Sequence, residues 1–136
     1  MPAAAKPSPV LIALCQNALK SLAGSCPGVA LAYIATKDGH VLASLTREGV
    51  GAKIAVMGGS MHALGDSIVA EARLGACNNV IIEAAEGKAV LLGITVGRTE
   101  LVLTGISGRD TSLGLLLASC KSCCEVIRSR VAANHG

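Results

Sequence analysis

Three short connections restrict the folds open to this chain of 136 residues. Residues 86–88 and 97–99 separate apolar, strand-like segments and are too short to hold a crossover helix, so the flanking strands must pair antiparallel. Residues 37–40 contain Asp38-Gly39, which supplies the positive φ angles that a tight hairpin needs. The sequence therefore predicts one hairpin and, after it, a three-stranded antiparallel meander.

Helical patterns precede, separate and follow these strands. Ser8 offers a capping hydroxyl, Pro9 suits the first helical position, and Gly24 is a suitable C-terminal stop for a first helix. A second, long helix is expected to close at Gly75. The predicted helices cover residues 9–23, 52–74 and 111–131, and the predicted strands cover residues 29–36, 41–46, 80–85, 89–96 and 100–106. The element order is therefore α-ββ-α-βββ-α.

The predicted strands are apolar on both sides of the pleat, as residues 80–82 and 101–103 illustrate. An antiparallel sheet normally leaves one face to water, so here both faces need cover. Three helices are available for this. We therefore predict an α/β (α+β) fold, in which a five-stranded antiparallel sheet is sandwiched between the long helix and the two terminal helices. One domain is expected over residues 9–131, with a disordered tail at 1–8 and a short tail at 132–136.

The long helix carries three stripes of different character, of which one is predicted to face solvent and consists of Lys53, Ser60, Ser67 and Glu71. In the second stripe, large apolar residues recur in steps of three and four, which predicts that it packs on the core. It consists of Ile54, Met57, Met61, Leu64, Ile68 and Ala72. The third stripe mixes small, apolar and charged residues and consists of Ala55, Gly59, His62, Asp66, Val69 and Arg73. Gly58 and Gly59 cost about 1 kcal/mol each relative to alanine inside a helix, and the close approach of a neighbouring backbone would explain them.

The strand over residues 80–85 opens the meander directly after the long helix, so we expect it at an edge of the sheet. An apolar edge strand that lacks proline and is guarded only by Glu83 is an aggregation hazard. Pairing with its own copy across a two-fold axis removes the hazard and brings the two long helices together. The alternative is that a loop or a terminus covers the edge. The predicted dimer interface consists of Gly58, Gly59, His62, Asn79, Val80, Ile81, Ile82, Glu83 and Ala84.

The composition argues against several classes of protein. Aromatic residues make up 1% of the chain and the net charge is only +3, which disfavours nucleic-acid binding. No apolar run reaches the length of a membrane span and no export signal is recognisable, so we expect a cytoplasmic protein with reduced cysteines. Cys120, Cys123 and Cys124 supply at most three thiolates on one helix, whereas structural zinc takes four ligands. These cysteines are therefore predicted to pack as small apolar residues.

No pattern for covalent chemistry is recognisable in the chain. His40, His62 and His135 lie outside any nucleophile motif such as G-x-S-x-G, and no Gly-Lys-Ser/Thr follows the glycines to form a phosphate loop. We therefore expect no catalytic residue, cofactor or metal, and a protein that is not an enzyme. One alternative is a small enzyme or ligand-binding domain that uses His62 or a cysteine. A deep polar pocket near His62 would favour that alternative.

The chain resembles the Roadblock (dynein light chain) family, and in particular its bacterial-type regulators. A strand, an Asp-Gly turn and a second strand precede the long helix, and a small-x-x-Leu-Gly-like step over residues 110–114 opens the last one. The resemblance rests on residues 28–45, 51–75, 78–106 and 110–127. Such proteins dimerise through the middle edge strand and the long helix, and they present the paired helices to a small Ras-like GTPase.

The resemblance implies a homodimeric scaffold that binds a small Ras-like GTPase and modulates its nucleotide cycle. The alternative is a nucleotide-independent structural adaptor for a motor or signalling complex. The expected GTPase contacts are Asp66, Val69 and Arg73 on the long helix. Arg73 is either an arginine finger that reaches the bound nucleotide or a solvated arginine favoured by the helix dipole.

Overall fold

The computed structural model describes residues 7–46 and 53–135, and within them the helices and strands follow the predicted order. The tail predicted over residues 1–8 lies outside the described residues except for Pro7 and Ser8. The elements are α1 (Pro9–Ser25), β1 (Val29–Thr36), β2 (Val41–Leu45), α2 (Lys53–Glu71), β3 (Val80–Ala84), β4 (Gly87–Val96), β5 (Thr99–Gly108) and α3 (Leu113–His135).

The five strands form one sheet in the order β2-β1-β5-β4-β3, and all neighbouring strands are antiparallel. The Asp-Gly turn closes the first hairpin as predicted, with Gly39 at φ 92° and its N–H donating to the Thr36 carbonyl over 2.9 Å. The β4–β5 hairpin is continuous over its whole length and has Gly97 at φ 61° in its turn. The prediction that β3 lies at a sheet edge is confirmed.

Helices cover the two faces of the sheet unequally. α1 and α3 pack together on one face, over a large cluster that includes the fully buried Leu19, Ile34, Leu103 and Leu116. α2 alone covers the other face, where the buried cluster is small and consists of Tyr33, Ala35 and Ala55 with partly buried neighbours. The predicted sandwich of one long helix and two terminal helices around the sheet is therefore confirmed.

The helix starts are predicted better than the helix ends. Ser8 caps α1, because its side-chain oxygen accepts a hydrogen bond from the Leu11 N–H over 3.1 Å. The stop predicted at Gly24 is wrong, since α1 continues to Ser25. The closure predicted at Gly75 is also wrong, since α2 ends at Glu71. At the other end of the chain, α3 continues past the predicted boundary of residue 131 to residue 135.

α2 rests on the sheet through small residues, and the core face predicted for this helix is wrong. Ala55, Gly58, Gly59 and His62 are buried against the sheet. Ile54 is partly buried and packs on the small cluster under α2, whereas Met57, Met61, Leu64 and Ile68 are exposed. The outward-facing residues of the predicted core stripe are Met57, Met61, Leu64, Ile68 and Ala72.

Gly58 and Gly59 allow the close approach that brings α2 onto the sheet. A Cβ atom at Gly58 would lie 2.3 Å from the Thr104 Oγ1 atom, and one at Gly59 would lie 2.4 Å from the Lys37 carbonyl oxygen. The close backbone approach inferred from the glycines is confirmed, but the neighbour is the chain's own sheet. Gly58, Gly59 and His62, which were predicted in the dimer interface, are therefore covered within one subunit and need no second copy to explain them.

Replacing Gly59 with alanine should test the close contact between α2 and the chain beneath it. We expect Gly59→Ala to lower the free energy of unfolding by about 1–3 kcal/mol, because a backbone carbonyl cannot yield as a side chain can. Gly24→Ala is the matched control, because no atom beyond the adjacent residues and backbone of its own helix lies within 4 Å of its would-be Cβ, and it should stabilise α1 by up to about 1 kcal/mol. Urea unfolding of both variants measures the difference, and stabilisation by both would contradict the close approach.

Candidate functional site

The outer face of α2 forms an exposed apolar stripe. Met57, Met61, Leu64 and Ile68 are spaced by four, three and four residues, so they lie along one line of the helix. Their exposed fractions are 59%, 40%, 56% and 59%. We call these four residues the α2 platform. Contiguous exposed apolar surface is a common feature of interaction sites, which makes the platform a candidate binding surface.

The β3 strand lies beside the platform and is the less protected edge of the sheet. β3 pairs only with β4, and residues 81–84 are exposed. Ile81 and Ile82, with exposed fractions of 39% and 41%, project from opposite faces of the strand. The opposite edge, β2, is contacted by α1, and the Gln16 side-chain amide donates to the Ser44 carbonyl over 3.3 Å. Within the described part of the chain, no helix or side chain gives β3 comparable cover along its outer edge.

A shallow apolar recess of about 280 Å³ adjoins the β3 edge. α2 crosses the sheet so that it reaches β3 at its first residue, where Gly65 lies against the Val80 side chain. The far end of β3 on the same face is left uncovered. The recess is lined there by Ile82, Ala84, Ala89 and Ile106, together with Glu86, Gly87, Lys88 and Ser107.

A second cavity, of about 230 Å³, lies under the C-terminal half of α2. Lys37, His62, Asp66 and Glu100 supply its charged and polar groups. The Lys37 ammonium lies 3.2 Å from the Glu100 carboxylate and 3.9 Å from the Asp66 carboxylate. His62 is buried with its ring against Gly93, where a Cβ would lie 2.9 Å from the His62 Cε1 atom. Polar groups from α2 and from two strand turns therefore meet beneath the helix.

The structure separates the three residues expected to contact a GTPase. Asp66 and Val69 line the cavity beneath α2, on the side that faces the sheet. Arg73 lies beyond the end of the helix and is exposed. Of the residues predicted in the dimer interface, Ile81, Ile82, Glu83 and Ala84 are exposed on β3, while Asn79 and Val80 are partly buried. Their contacts with partners remain predictions.

Arg73 holds a backbone conformation that arginine rarely adopts. Its φ of 57° makes it the non-glycine residue with positive φ among the described positions. The Leu74 N–H donates to the Val69 carbonyl over 2.8 Å and the Arg73 N–H donates to the Ala70 carbonyl over 3.1 Å, which is the Schellman pattern of a helix end. Glycine usually takes this position because the left-handed conformation costs other residues about 1–2 kcal/mol. An exposed, strained arginine therefore ends α2.

The buried cysteines pack in the core formed by α1, α3 and the sheet. Burial raises the pKa of Cys15 to about 11 and the pKa values of Cys120, Cys123 and Cys124 to about 12. These thiols stay protonated at neutral pH and are therefore poor nucleophiles. All six cysteines are free. Within residues 7–46 and 53–135, no three His, Cys, Asp or Glu side chains are grouped to hold a metal ion, and no helix is both long and apolar enough to span a membrane.

The sequence contained a signal for the platform that periodicity alone does not resolve. α2 has two stripes that could face the sheet. One consists of large apolar residues, and the other contains Ala55, Gly59 and His62. Small residues in line along a helix suit close packing, so their stripe was the better candidate for the sheet contact. The recess beside β3 and the cavity under α2 had no comparable signal, because their walls come from residues distant in the sequence.

The fold resembles those of solved Roadblock-type structures. MglB from Myxococcus xanthus matches with a TM-score of 0.80, over 96% of both chains at 15% sequence identity. The gliding protein MglB from Thermus thermophilus matches with a TM-score of 0.75, over 98% of both chains at 14% identity. A Roadblock/LC7 domain from Streptomyces avermitilis matches with a TM-score of 0.74, over 86% of this chain and 97% of that domain at 18% identity.

Neither a family sequence model nor a curated protein sequence matches the chain. The structural likeness therefore carries the comparison, and it shows that the chain has the Roadblock/LC7 fold. The resemblance seen in the sequence is confirmed at the level of the fold.

Replacing Arg73 with glycine should relieve the strain at the end of α2. We expect Arg73→Gly to raise the free energy of unfolding by about 1 kcal/mol, because glycine adopts the left-handed conformation without steric cost. Ala72→Gly is the control, since position 72 has no positive φ and should lose stability. Thermal unfolding of both variants measures the effect. Loss of stability in Arg73→Gly would show that the arginine side chain makes a compensating contact.

Proposed function

We propose that this chain is a homodimeric scaffold that binds a small Ras-like GTPase and modulates its nucleotide cycle. The observation that carries the proposal is the exposed α2 platform beside the exposed edge of β3. The likeness to MglB structures supports it, because the Roadblock resemblance in the sequence implies this role for the fold. We propose further that the chain acts by binding, without covalent catalysis of its own.

The first step of the proposal is that β3 pairs with β3 of a second copy. Antiparallel self-pairing places a two-fold axis perpendicular to the sheet, so that both copies present α2 on the same face. The sheet then continues through both subunits, and the outer N–H and C=O groups of both β3 strands gain partners. A solved MglB structure of similar fold has a tetrameric arrangement, with a TM-score of 0.73 and 16% identity.

The second step concerns the apolar recess beside β3. In an antiparallel pair, the first residue of one β3 strand lies near the last residue of the other. α2 covers the Val80 end of its own strand and leaves the Ala84 end open. The second copy therefore brings the end of its α2 towards this recess. A single two-fold axis would then give the outer N–H and C=O groups of β3 hydrogen-bond partners and would also cover the apolar recess.

The third step joins the two platforms into one surface. With both α2 helices on the same face, the exposed methionine, leucine and isoleucine side chains of the two copies lie close together. Met57 and Met61 add flexible, polarisable side chains, which adapt to the contours of a partner. The switch segments of a Ras-like GTPase change their order with the bound nucleotide. A platform that binds one arrangement more tightly shifts the GTPase population towards it.

The edge-pairing step is tested with an isoleucine-to-lysine pair of variants. Ile82 on β3 and Ile12 on α1 have nearly equal exposed fractions, 41% and 40%. We expect the wild-type protein and Ile12→Lys to have twice the 13.6 kDa chain mass at micromolar concentration. Ile82→Lys should be monomeric, because a charged residue blocks edge pairing. Light scattering after size exclusion measures the masses, and a monomeric wild-type protein would overturn the dimer.

Binding of a GTPase is tested with a leucine-to-glutamine pair. Leu64 lies at the centre of the platform, and Leu115, which is also exposed, lies on α3 across the sheet. We expect Leu64→Gln to weaken binding of a Ras-like GTPase from the same genome about tenfold or more, since central apolar anchors dominate interfaces. Leu115→Gln should bind like the wild-type protein, and both variants should remain folded.

The nucleotide state of the GTPase separates the proposed regulator from a structural adaptor. Calorimetry with the GTPase loaded with GDP or with a non-hydrolysable GTP analogue should give affinities that differ at least tenfold. A ligand with equal affinity for two states shifts neither of them. Equal affinities would therefore favour the nucleotide-independent adaptor and would contradict modulation of the nucleotide cycle.

A further inference from the structure

The C-terminal end of α2 extends past the edge of the sheet. Successive contacts along the helix lie on the β1–β2 turn, on β5, on β4 and finally on the edge strand β3, where Gly65 meets the Val80 side chain. From there the helix continues to Glu71, which adds about 9 Å at 1.5 Å per residue. Residues 70–76 are all exposed, as expected where no strand of the described chain lies beneath them.

This overhanging end of α2 presents an exposed leucine in a fixed position. Leu74 has an exposed fraction of 71%, which exceeds the 59% of Met57 and of Ile68 on the platform. Its N–H donates to the Val69 carbonyl over 2.8 Å, within the Schellman motif that the positive φ of Arg73 makes possible. The strained backbone at Arg73 therefore holds a large apolar side chain in contact with water.

The apolar recess beside β3 is the surface that a second copy would place under this end of α2. The recess lies at the end of β3 that α2 leaves open and includes Ile82, Ala84, Ala89 and Ile106. Antiparallel pairing of two β3 strands sets this end beside the Val80 end of the other copy. The next two strands across the pair lie about 4.8 and 9.6 Å away, within reach of the overhang.

The charges at the two surfaces are complementary. Arg73 is exposed and directly precedes Leu74. Glu86 lines the recess, and its side chain is 85% exposed, so its ion pair with Arg109 at 3.7 Å is weak. The Lys88 ammonium is held by backbone carbonyls that precede α3. The recess therefore has an acidic rim that suits the basic end of α2.

We propose that Leu74 of each copy docks into the apolar recess beside β3 of the other copy, with Arg73 next to Glu86. This inference rests on the β3 edge pairing of the proposed function and adds an apolar contact on the α2 side of the sheet. The two-fold axis makes the contact twice in each dimer. The affinity between the copies therefore depends on a residue outside the paired strands.

A matched pair of leucine variants measures this contact. Leu74→Ala should raise the dissociation constant of the dimer about 100-fold, roughly tenfold for each of the two contacts, because each loses most of a buried leucine side chain. Leu115→Ala is the control, because Leu115 is exposed on α3, across the sheet from the recess, and it should dimerise like the wild-type protein. Analytical ultracentrifugation over a dilution series measures the dissociation constants.

Filling the recess from within tests its occupant. Ala89→Leu should weaken the dimer, because the added side chain takes the space that Leu74 of the other copy needs. Adding Leu74→Ala to Ala89→Leu should then weaken the dimer little further, since both changes remove the same contact. In mixed dimers with one isotope-labelled copy, NMR should detect contacts between the methyl groups of Leu74 and those of Ile106 across the two copies.

The outcomes separate this inference from the dimer on which it rests. A wild-type protein that stays monomeric would overturn the edge pairing and the docking of Leu74 together. A wild-type dimer whose dissociation constant is unchanged in Leu74→Ala would overturn the docking alone and leave the edge pairing standing. Fully additive effects of Leu74→Ala and Ala89→Leu would also overturn the docking, because they would show that the two positions do not share a contact.

Discussion

The close contact between α2 and the sheet is the interaction on which the exposed surface of this protein depends. Gly58 lies over Thr104 and Gly59 over the Lys37 carbonyl, at distances that leave no room for a Cβ atom. Where the helix is seated this closely, at Gly58 and Gly59, no side chain fits between its backbone and the chain beneath it, and His62 is accommodated further along over Gly93. The large apolar residues of the same helix must then face outward. The exposure of the α2 platform therefore follows from the close packing of the inner face of α2. The large side chains of the platform have no space to be buried within one subunit.

Because of this arrangement, the subunit is stabilised mainly by apolar burial on the opposite face of the sheet. The cluster beneath α1 and α3 contains most of the fully buried large side chains, among them Leu19, Ile34 and Ile127, and also the buried cysteines. The raised pKa values of Cys120, Cys123 and Cys124 follow from the same burial and suit residues that serve as small apolar filling. The face under α2 buries only a few residues, so it contributes less to the stability of the fold.

The sequence predicted the architecture because hairpin geometry is local. Asp38-Gly39 and the short connections at residues 86–88 and 97–99 determine the β1–β2, β3–β4 and β4–β5 pairs, and β3 was correctly placed at an edge. The β1–β5 pairing, which joins the two groups of strands into one sheet, is distant in sequence and was not predicted. The inward face of α2 was predicted wrongly because periodicity shows that a stripe is apolar but not what covers it. Surfaces that bind partners have the same pattern as surfaces that pack on a core. The cavity was beyond prediction, since Lys37, His62 and Glu100 come from three separate elements.

The two faces of α2 make different physical demands on neighbouring residues. His62 and Asp66 face polar and charged groups within the subunit, whereas Leu64 and Ile68 expose apolar surface to water. Residues of the two faces alternate along the helix with a period of three to four residues. No single substitution can therefore suit both faces. A change in Gly58 or Gly59 would displace the helix and disturb both faces together. A change in Leu64 would alter the platform alone, because its side chain takes no part in seating the helix. The glycines therefore determine the position of α2, and the exposed apolar residues determine the surface that it presents.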